Sequence, residues 1–156
     1  MVQSRPLTIH VLSESNMGPL YIHWGRCSPR GVNAINVNER GVNARALGVY
    51  DMAAVTGIDF VVQAFLATQT ITAQVIVDAI DIIESDELDT FAFICSHATH
   101  RSVGCAILLA SLVYQNASIV FSTQRTRDAA RQRGMIEEDG WQDVRVPHQS
   151  VLPPGR

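Results

Sequence analysis

The sequence predicts one α/β domain whose mostly parallel sheet is flanked by helices. The first observation is an alternation of short apolar runs, rich in β-branched and aromatic residues, with longer segments in which apolar residues recur every three or four positions. The second is the length of 156 residues, which suits one compact domain that buries roughly two thirds of its unfolded surface. Strands separated by helices imply parallel pairing and right-handed crossovers.

The first half of the chain supplies two strands and one or two helices. Residues 7–13 have the pattern of a buried strand. The stretch that follows is rich in Gly, Asn and Pro, which predicts a long irregular segment around a short strand at residues 34–37. The sequence leaves open whether residues 16–47 fold over the site as a lid. Apolar residues at helical spacing over residues 60–83 predict helices, with a break at residues 68–72.

The second half continues the alternation. In order, the pattern predicts a strand at residues 91–95, a helix at 102–114, a strand at 118–122 and a short polar helix at 126–133. The domain is expected to occupy residues 1–140. Residues 141–156 carry several prolines and are expected to form a loosely held C-terminal tail.

Composition narrows the class of protein. A hydrophobic content of 47% with 17% charged residues is typical of a globular chain. No apolar run approaches the roughly 20 residues of a membrane span, and the N-terminus lacks the pattern of a signal peptide. The three cysteines, Cys27, Cys95 and Cys105, have no CxxC spacing, which fits a reducing compartment. We therefore expect a cytoplasmic protein without a membrane partner.

The charge pattern gives a mixed indication about nucleic acids. A net charge of −3 does not favour bulk binding of nucleic acid. All 12 basic residues are nevertheless Arg, so every cationic contact can be bidentate. One local cluster exists, formed by Arg125, Arg127, Arg131 and Arg133, and such clusters are usually solvated helix faces. RNA stays open as a partner that would contact this face.

The stretch FAFICSHATHRSVG, residues 91–104, carries the main functional signal. An apolar strand ends at Cys95, a polar loop follows, and Ser102 is predicted to be the N-cap of the next helix. Free N–H groups at a helix start favour an anion, and ligands of parallel sheets bind at the carboxyl ends of the strands. Cys95 and Arg101 have C-x5-R spacing, which lets a thiolate and a guanidinium face one bound oxyanion.

Each candidate also has a structural explanation. Cys95 could be an inert buried thiol, and Cys105 is expected in the core. His97 and His100 could ligate a metal only with partners from elsewhere, such as His23 or Cys27, so no metal site and no cofactor is predicted. An Arg beside a helix start, as at position 101, has few structural roles other than holding an anion or a carboxylate.

The run CSHATHRSVGCAILLA resembles the C-terminal domain of the RapZ family, the RNase adapter proteins, whose signature here is Cys-Thr-Gly-Gly-x-His-Arg-Ser-Val. Three further blocks agree in order. Residues 13–18 are similar to a Glu-Ser-Phe-Gly segment, residues 55–67 to a Thr-Gly-Leu-Asp block with its helix, and residues 119–126 to a strand ending in His-Arg-Thr. Residues 37–44 are similar, more weakly, to an Asp-x-Arg-x-x-x-Asn-Pro element. The resemblance covers roughly residues 7–130.

The resemblance implies a stand-alone version of a domain that follows a P-loop kinase-like domain in the bacterial proteins; this sequence contains no GxxxxGK[ST] motif. In that family the domain senses an amino-sugar phosphate, takes part in binding small regulatory RNAs and helps to present them to an endoribonuclease. The implied ligand-binding residues are Ser96, His97, Thr99, His100, Arg101 and Ser102, with Glu14, Ser15, Arg40, Thr56 and Arg125 as walls.

The chain departs from the family pattern at three places. His97-Ala98 replaces Gly-Gly, so a positive φ at either position would be strained. Asn38 replaces the Asp of the Asp-x-Arg element, and Gln124 replaces the His of the His-Arg-Thr block. Two titratable groups are thereby replaced by neutral amides.

The leading hypothesis is a binding module for a phosphorylated metabolite, a sugar phosphate or a nucleotide, or for an inorganic anion, with a regulatory or RNA-adapter role. The sequence leaves open whether it is a homo-oligomer. The alternative is a phosphatase-like hydrolase, since C-x5-R followed by Ser is also the spacing of tyrosine-phosphatase loops. In that alternative Cys95 is the nucleophile, Arg101 binds the transferring group, and Asp59, Asp86 or Asp89 protonates the leaving group.

Overall fold

The computed structural model describes residues 6–14, 33–43, 52, 54–135 and 144–145. The elements in chain order are β1 (Thr8–Ser13), β2 (Ala34–Asn36), α1 (Phe60–Ala67), α2 (Thr70–Ser85), β3 (Thr90–Cys95), α3 (Arg101–Leu112), β4 (Ser118–Phe121), α4 (Gln124–Gln132) and β5 (Val144–Arg145). The α/β prediction is confirmed. Ser15, His23, Cys27 and most of residues 16–47 lie outside the described residues.

The sheet has the strand order β2-β3-β1-β4-β5. The first four strands are parallel, and β5 pairs antiparallel with β4, so the sheet extends past residue 140. Strands β1 and β3 are neighbours, with Ser13 opposite Cys95. The chain leaves β1 towards β2 on one side and leaves β3 towards β4 on the other. Such a switch point opens a crevice at the carboxyl ends of the two strands.

The main core lies on the face of β3 that carries Phe91, Phe93 and Cys95. The two phenylalanine rings meet edge to face with centroids 5.3 Å apart, and helices α1, α2 and α3 pack on this side. Every residue from Ser102 to Ala110 is buried, which explains why α3 is apolar on all sides. Ala92 points to the opposite face and belongs to a smaller cluster.

Two glycines bring the segment before α1 against the start of α3. A Cβ at Gly57 would collide with the carbonyl oxygen of His100 and the main-chain nitrogen of Gly104, and a Cβ at Gly104 would collide with Leu66. The N–H of Gly57 donates to the carbonyl of Thr99 at 2.8 Å. The turn that precedes α3 is therefore fixed from the side by main-chain packing.

Two helix starts differ from the prediction. Helix α3 begins at Arg101 with His100 in the N-cap position, so the prediction that Ser102 is the N-cap is wrong. The hydroxyl of Ser102 is turned into the core instead, and no side chain caps this helix. Helix α4 begins at Gln124, and Thr123 caps it by accepting from the N–H of Thr126 at 3.2 Å.

Among the described residues, no single helix is long and apolar enough to cross a membrane. Helices α1 and α2 reach that length and composition only as a pair, and the chain bends by 90° between them.

Candidate anion-binding site

Polar groups from three parallel strands meet at one edge of the sheet. Glu14 follows β1, Asn36 ends β2, Asn38 lies in the turn after it, and residues 96–100 form the turn between β3 and α3. Hydrogen bonds join the groups from all three strand ends. This edge is the switch point of the sheet, where the fold favours a ligand.

The turn from β3 into α3 presents unpaired main-chain donors. Among the described residues, no acceptor receives a hydrogen bond from the N–H groups of residues 96–103, and the first helical bond runs from the N–H of Gly104 to the carbonyl of His100 at 2.9 Å. Buried Ala98 takes a left-handed conformation, with φ at 53°. For a residue other than glycine this conformation costs about 1–2 kcal/mol. Such a turn at a helix start attracts anions.

Arg101 keeps one edge of its guanidinium open. Its Nη1 donates to Asn38 Oδ1 at 2.7 Å and to the carbonyl of Val42 at 3.4 Å, and its Nη2 donates to Ser96 Oγ at 3.1 Å. Within the part of the chain that the structure describes, the Nε–H and the second Nη2–H of Arg101 have no acceptor. Two adjacent donors of this kind match two oxygens of a phosphate or carboxylate.

Glu14 is held near Arg101 without a direct ion pair between them in the described part of the chain. Asn36 Nδ2 donates to Glu14 Oε2 at 2.9 Å, and Asn38 Nδ2 donates to Oε1 at 3.3 Å. The hydrogen bond from Asn36 is the main reason that the pKa of Glu14 is below its ordinary value, followed by that from Asn38. Ser96 also hydrogen-bonds Glu14, so Asn38 and Ser96 each connect Glu14 to Arg101. We call Glu14 and Arg101, together with the Asn38 and Ser96 that connect them, the bridged pair.

Cys95 lies at the base of the turn. Its Sγ is 3.0 Å from Ser102 Oγ, and both residues are buried, Cys95 with 2% of its surface exposed. Cys105, farther along α3, is fully buried, and desolvation raises the pKa of its thiol to about 12. Cys105 is therefore a core thiol as expected, whereas Cys95 contacts the first turn of α3.

His100 and Arg125 share two main-chain acceptors. His100 Nε2 is 2.9 Å from the carbonyl of Met52 and 2.8 Å from that of Val55, and Arg125 Nη2 donates to the same two oxygens at 2.9 and 2.7 Å. Nε2 must therefore carry a proton. Burial is the largest cause that lowers the pKa of His100; the two carbonyls oppose it, and the charges of Arg125 and Arg101 add to it. The neutral ring leaves Nδ1 unprotonated.

The remaining predicted wall residues make contacts within the domain. Thr99 Oγ1 donates to the carbonyl of His97 at 3.0 Å, and buried Thr56 accepts from a main-chain N–H at 3.1 Å. The side chain of His97 is exposed. Arg40 forms an ion pair with Asp78 of α2 at 2.5 Å. The structure thus connects Glu14 with Arg101 through intervening side chains, one of them Ser96. It places Ser102 beneath the turn and pairs Arg40 with Asp78 instead.

Two of the three acids considered for the phosphatase alternative are far from Cys95. Asp86 and Asp89 lie before β3, at its amino end, whereas Cys95 ends that strand. Six residues of extended strand separate Asp89 from Cys95 by about 20 Å. Neither can protonate a leaving group at the turn. Asp59 lies nearer the turn but forms an ion pair with Arg133.

The arginines of the predicted basic cluster contact groups of the chain itself. Arg125 donates to main-chain carbonyls, Arg127 to the carbonyl of Phe121 at 3.1 Å, Arg131 to Asp128 at 2.9 Å and Arg133 to Asp59. Among the described residues, carboxylates thus compensate the charges of Arg131 and Arg133.

The sequence alone missed Asn36 and noticed Asn38 only as a departure from the family pattern. Both stand at the carboxyl end of β2, which is the position where polar side chains face a ligand in parallel sheets. Their position at the carboxyl end of a predicted strand was therefore the sequence feature that could have identified both asparagines as site residues.

No group of three or more His, Cys, Asp or Glu side chains suited to a metal ion occurs in the described residues. Comparison of the chain with protein-family models, with curated proteins and with solved structures finds no match.

Proposed function

We propose that the protein is a binding module for a phosphorylated small molecule, held at the turn of residues 96–102. One observation carries the proposal: the unpaired N–H groups of the turn and the open edge of Arg101 occur at the same edge of the sheet. Hydrogen bonds from a guanidinium to phosphate are charge-assisted, and main-chain donors at a helix start add to them without any rearrangement.

The acceptors around the turn favour an ester over a bare anion. Asn38 connects the Glu14 carboxylate to Arg101, and the neutral His100 ring offers Nδ1. Both can accept hydrogen bonds from hydroxyl groups, as a sugar phosphate or a nucleotide would provide. The resemblance to the RapZ family supports the same ligand class and, with it, a regulatory role.

Thermal stabilisation by ligands tests this proposal. Sugar phosphates, nucleotides and inorganic phosphate are added separately to the parent protein, to Arg101→Ala and to Arg131→Ala, a matched loss of one positive charge on α4. Removing the bidentate contact should cost about 1.5–3 kcal/mol, or roughly 10- to 150-fold in Kd, only in Arg101→Ala. Equal stabilisation of all three proteins by the same ligand would rule the site out.

A phosphatase is the second candidate, and the contact between Cys95 Sγ and Ser102 Oγ favours it. The hydroxyl can donate to a thiolate at the base of the turn. The thiolate would attack phosphorus while the ester oxygen leaves, and water would then hydrolyse the thiophosphate. An aryl phosphate is the suitable substrate, because its leaving group needs no acid. Turnover that is lost in Cys95→Ser and kept in Cys105→Ala supports this candidate; turnover equal in parent and Cys95→Ser excludes it.

If the protein is an RNA adapter, the RNA would contact the basic cluster of Arg125, Arg127, Arg131 and Arg133. Because two of them pair with carboxylates, we expect weak affinity that drops steeply between low and physiological salt. Binding of a small phosphate ester should change much less with salt.

A further inference from the structure

The bridged pair connects a carboxylate to the Arg101 guanidinium. Asn38 accepts from Arg101 at 2.7 Å and donates to Glu14 at 3.3 Å, and Ser96 connects the same two residues. Two successive hydrogen bonds through the Asn38 amide thus separate the two charged groups. An oxyanion that Arg101 binds is held by the same guanidinium that Asn38 connects to Glu14.

Glu14 can only accept hydrogen bonds. An ionised carboxylate has about four acceptor positions. The described donors to Glu14 are Asn36, Asn38 and Ser96, and Asn38 Nδ2 reaches both carboxylate oxygens, at 3.3 and 3.5 Å. These same donors hold the pKa of Glu14 below its ordinary value, so the group stays ionised at neutral pH. A ligand group beside it must bring a proton or meet an unrelieved negative charge.

We propose that Glu14 makes the site selective for an oxyanion that carries a proton, so that phosphate and its monoesters bind and sulfate does not. This selectivity for phosphate over sulfate rests on the proposed function, because it concerns the same binding site. A phosphate monoester has its second pKa at about 6 and keeps one proton at little cost near neutral pH. That P–O–H group donates to Glu14 while the other oxygens accept from Arg101. Sulfate has no proton to donate at this pH, and its charge faces the carboxylate directly.

Calorimetric titration with inorganic phosphate and with sulfate, at equal ionic strength and pH 6.5, tests the proposal. The parent protein should bind phosphate at least about tenfold more tightly than sulfate, the usual cost of one unpaired charged acceptor. In Glu14→Gln, whose amide can donate to sulfate, the two affinities should come within about threefold of each other. Glu39→Gln removes an exposed negative charge of the next turn and should keep the preference.

The pH profile of the parent protein gives a second readout that needs no variant at position 14. The other charged or titratable groups of the turn and its neighbours are Arg101, His97, His100 and Arg125, and the pKa of His100 is below its ordinary value because of burial. The same ratio measured in His100→Gln, which does not titrate at this position, separates the contribution of His100 from that of the phosphate proton. The ratio should fall as the pH rises from 6 to 8, since phosphate loses its proton.

Three results would overturn the proposal in distinguishable ways. Equal affinity of the parent for phosphate and sulfate, both lost in Arg101→Ala, would leave the site in place and remove the selection. A preference unchanged in Glu14→Gln would assign it to another group. Failure of any phosphate or phosphate ester to bind would remove the proposed function together with the selection.

Discussion

Asn38 has a neutral side chain in a place where a charged one would not make the same contacts. Its amide nitrogen donates to Glu14 and its amide oxygen accepts from Arg101. An aspartate could accept from Arg101 but could donate nothing to Glu14, so two carboxylates would face each other. The neutral amide at position 38 is therefore the group that can contact Glu14 and Arg101 at the same time.

At the scale of single residues, we predict that Asn38→Asp weakens anion binding and raises the pKa of Glu14. The added charge repels both the Glu14 carboxylate and the ligand. Calorimetry with inorganic phosphate should show affinity reduced by about tenfold or more at pH 7, from one lost hydrogen bond and one like charge. Asn38→Ser, which keeps a donor and an acceptor in a neutral group, should lose less. Unchanged phosphate affinity in the aspartate variant would show that the bridged pair does not contact the ligand.

At the scale of elements, periodicity located helices and strands well but not the details of their starts. The break between α1 and α2 lies at Thr68 and Gln69, within the predicted interval, because helical spacing is a local property. The start of α3 differs by one residue, since Ser102 bonds Cys95 of the neighbouring strand instead of capping its own helix. The start of α3 therefore depends on a contact between two elements of the fold, β3 and α3.

Gly57→Ala should displace the turn against which Gly57 packs. The new Cβ meets the main chain of His100 and Gly104, which cannot move aside as a side chain could. Overpacking of this kind costs about 1–3 kcal/mol of unfolding free energy and should also weaken phosphate binding at the turn. Urea unfolding and calorimetry measure the two effects.

Gly134→Asn is the matched control for that variant. Gly134 has a left-handed φ of 70°, a Cβ at this position would meet no other atom within 4 Å, and asparagine tolerates this conformation. The control should stay within about 0.5 kcal/mol of the parent protein. A stable Gly57→Ala that binds phosphate normally would mean that the turn does not depend on this packing.

At the scale of the whole molecule, the site is assembled from strand ends that are distant in sequence. Glu14, Asn36 and Ser96 meet because β2 and β1 lie on either side of β3. His100, the N-cap residue of α3, and Arg125 of α4 both contact the carbonyls of Met52 and Val55. These shared contacts link the starts of the two helices. Titration of these groups should therefore affect the stability of the fold as a whole.

We predict that stability falls in two stages as the pH is lowered. The pKa of His100 is below its ordinary value of 6.5, so the unfolded chain binds its proton first, and stability falls as the pH drops from about 6.5 through the folded pKa. The pKa values of Glu14 and Asp78 are also lowered, from 4.5 and 3.8, mainly by hydrogen bonds from Asn36 and Gln74. The free energy of unfolding that these two ionised carboxylates contribute above their ordinary pKa values is lost as the pH falls through their folded pKa values.

Urea unfolding in chloride buffers between pH 3 and pH 8, free of phosphate, measures both stages. His100→Gln keeps a nitrogen donor for the two carbonyls but does not titrate, so only the upper stage should disappear. Persistence of the upper stage in this variant would assign it to another group.

The sequence by itself determined the α/β class, the approximate limits of the elements from β1 to α4 and the polar turn after Cys95, because periodicity, strand composition and turn composition are local properties. It did not predict β5, whose residues lie in the expected C-terminal tail. It also singled out Arg101 and Glu14, one from an Arg beside a helix start and the other from the resemblance. Only the tertiary structure decided that Asn36, Asn38 and Ser96 join them, that Ser102 faces Cys95, and that Arg40 pairs with Asp78. The physical reason is that strand order and register bring distant strand ends together, and neither is encoded within one segment.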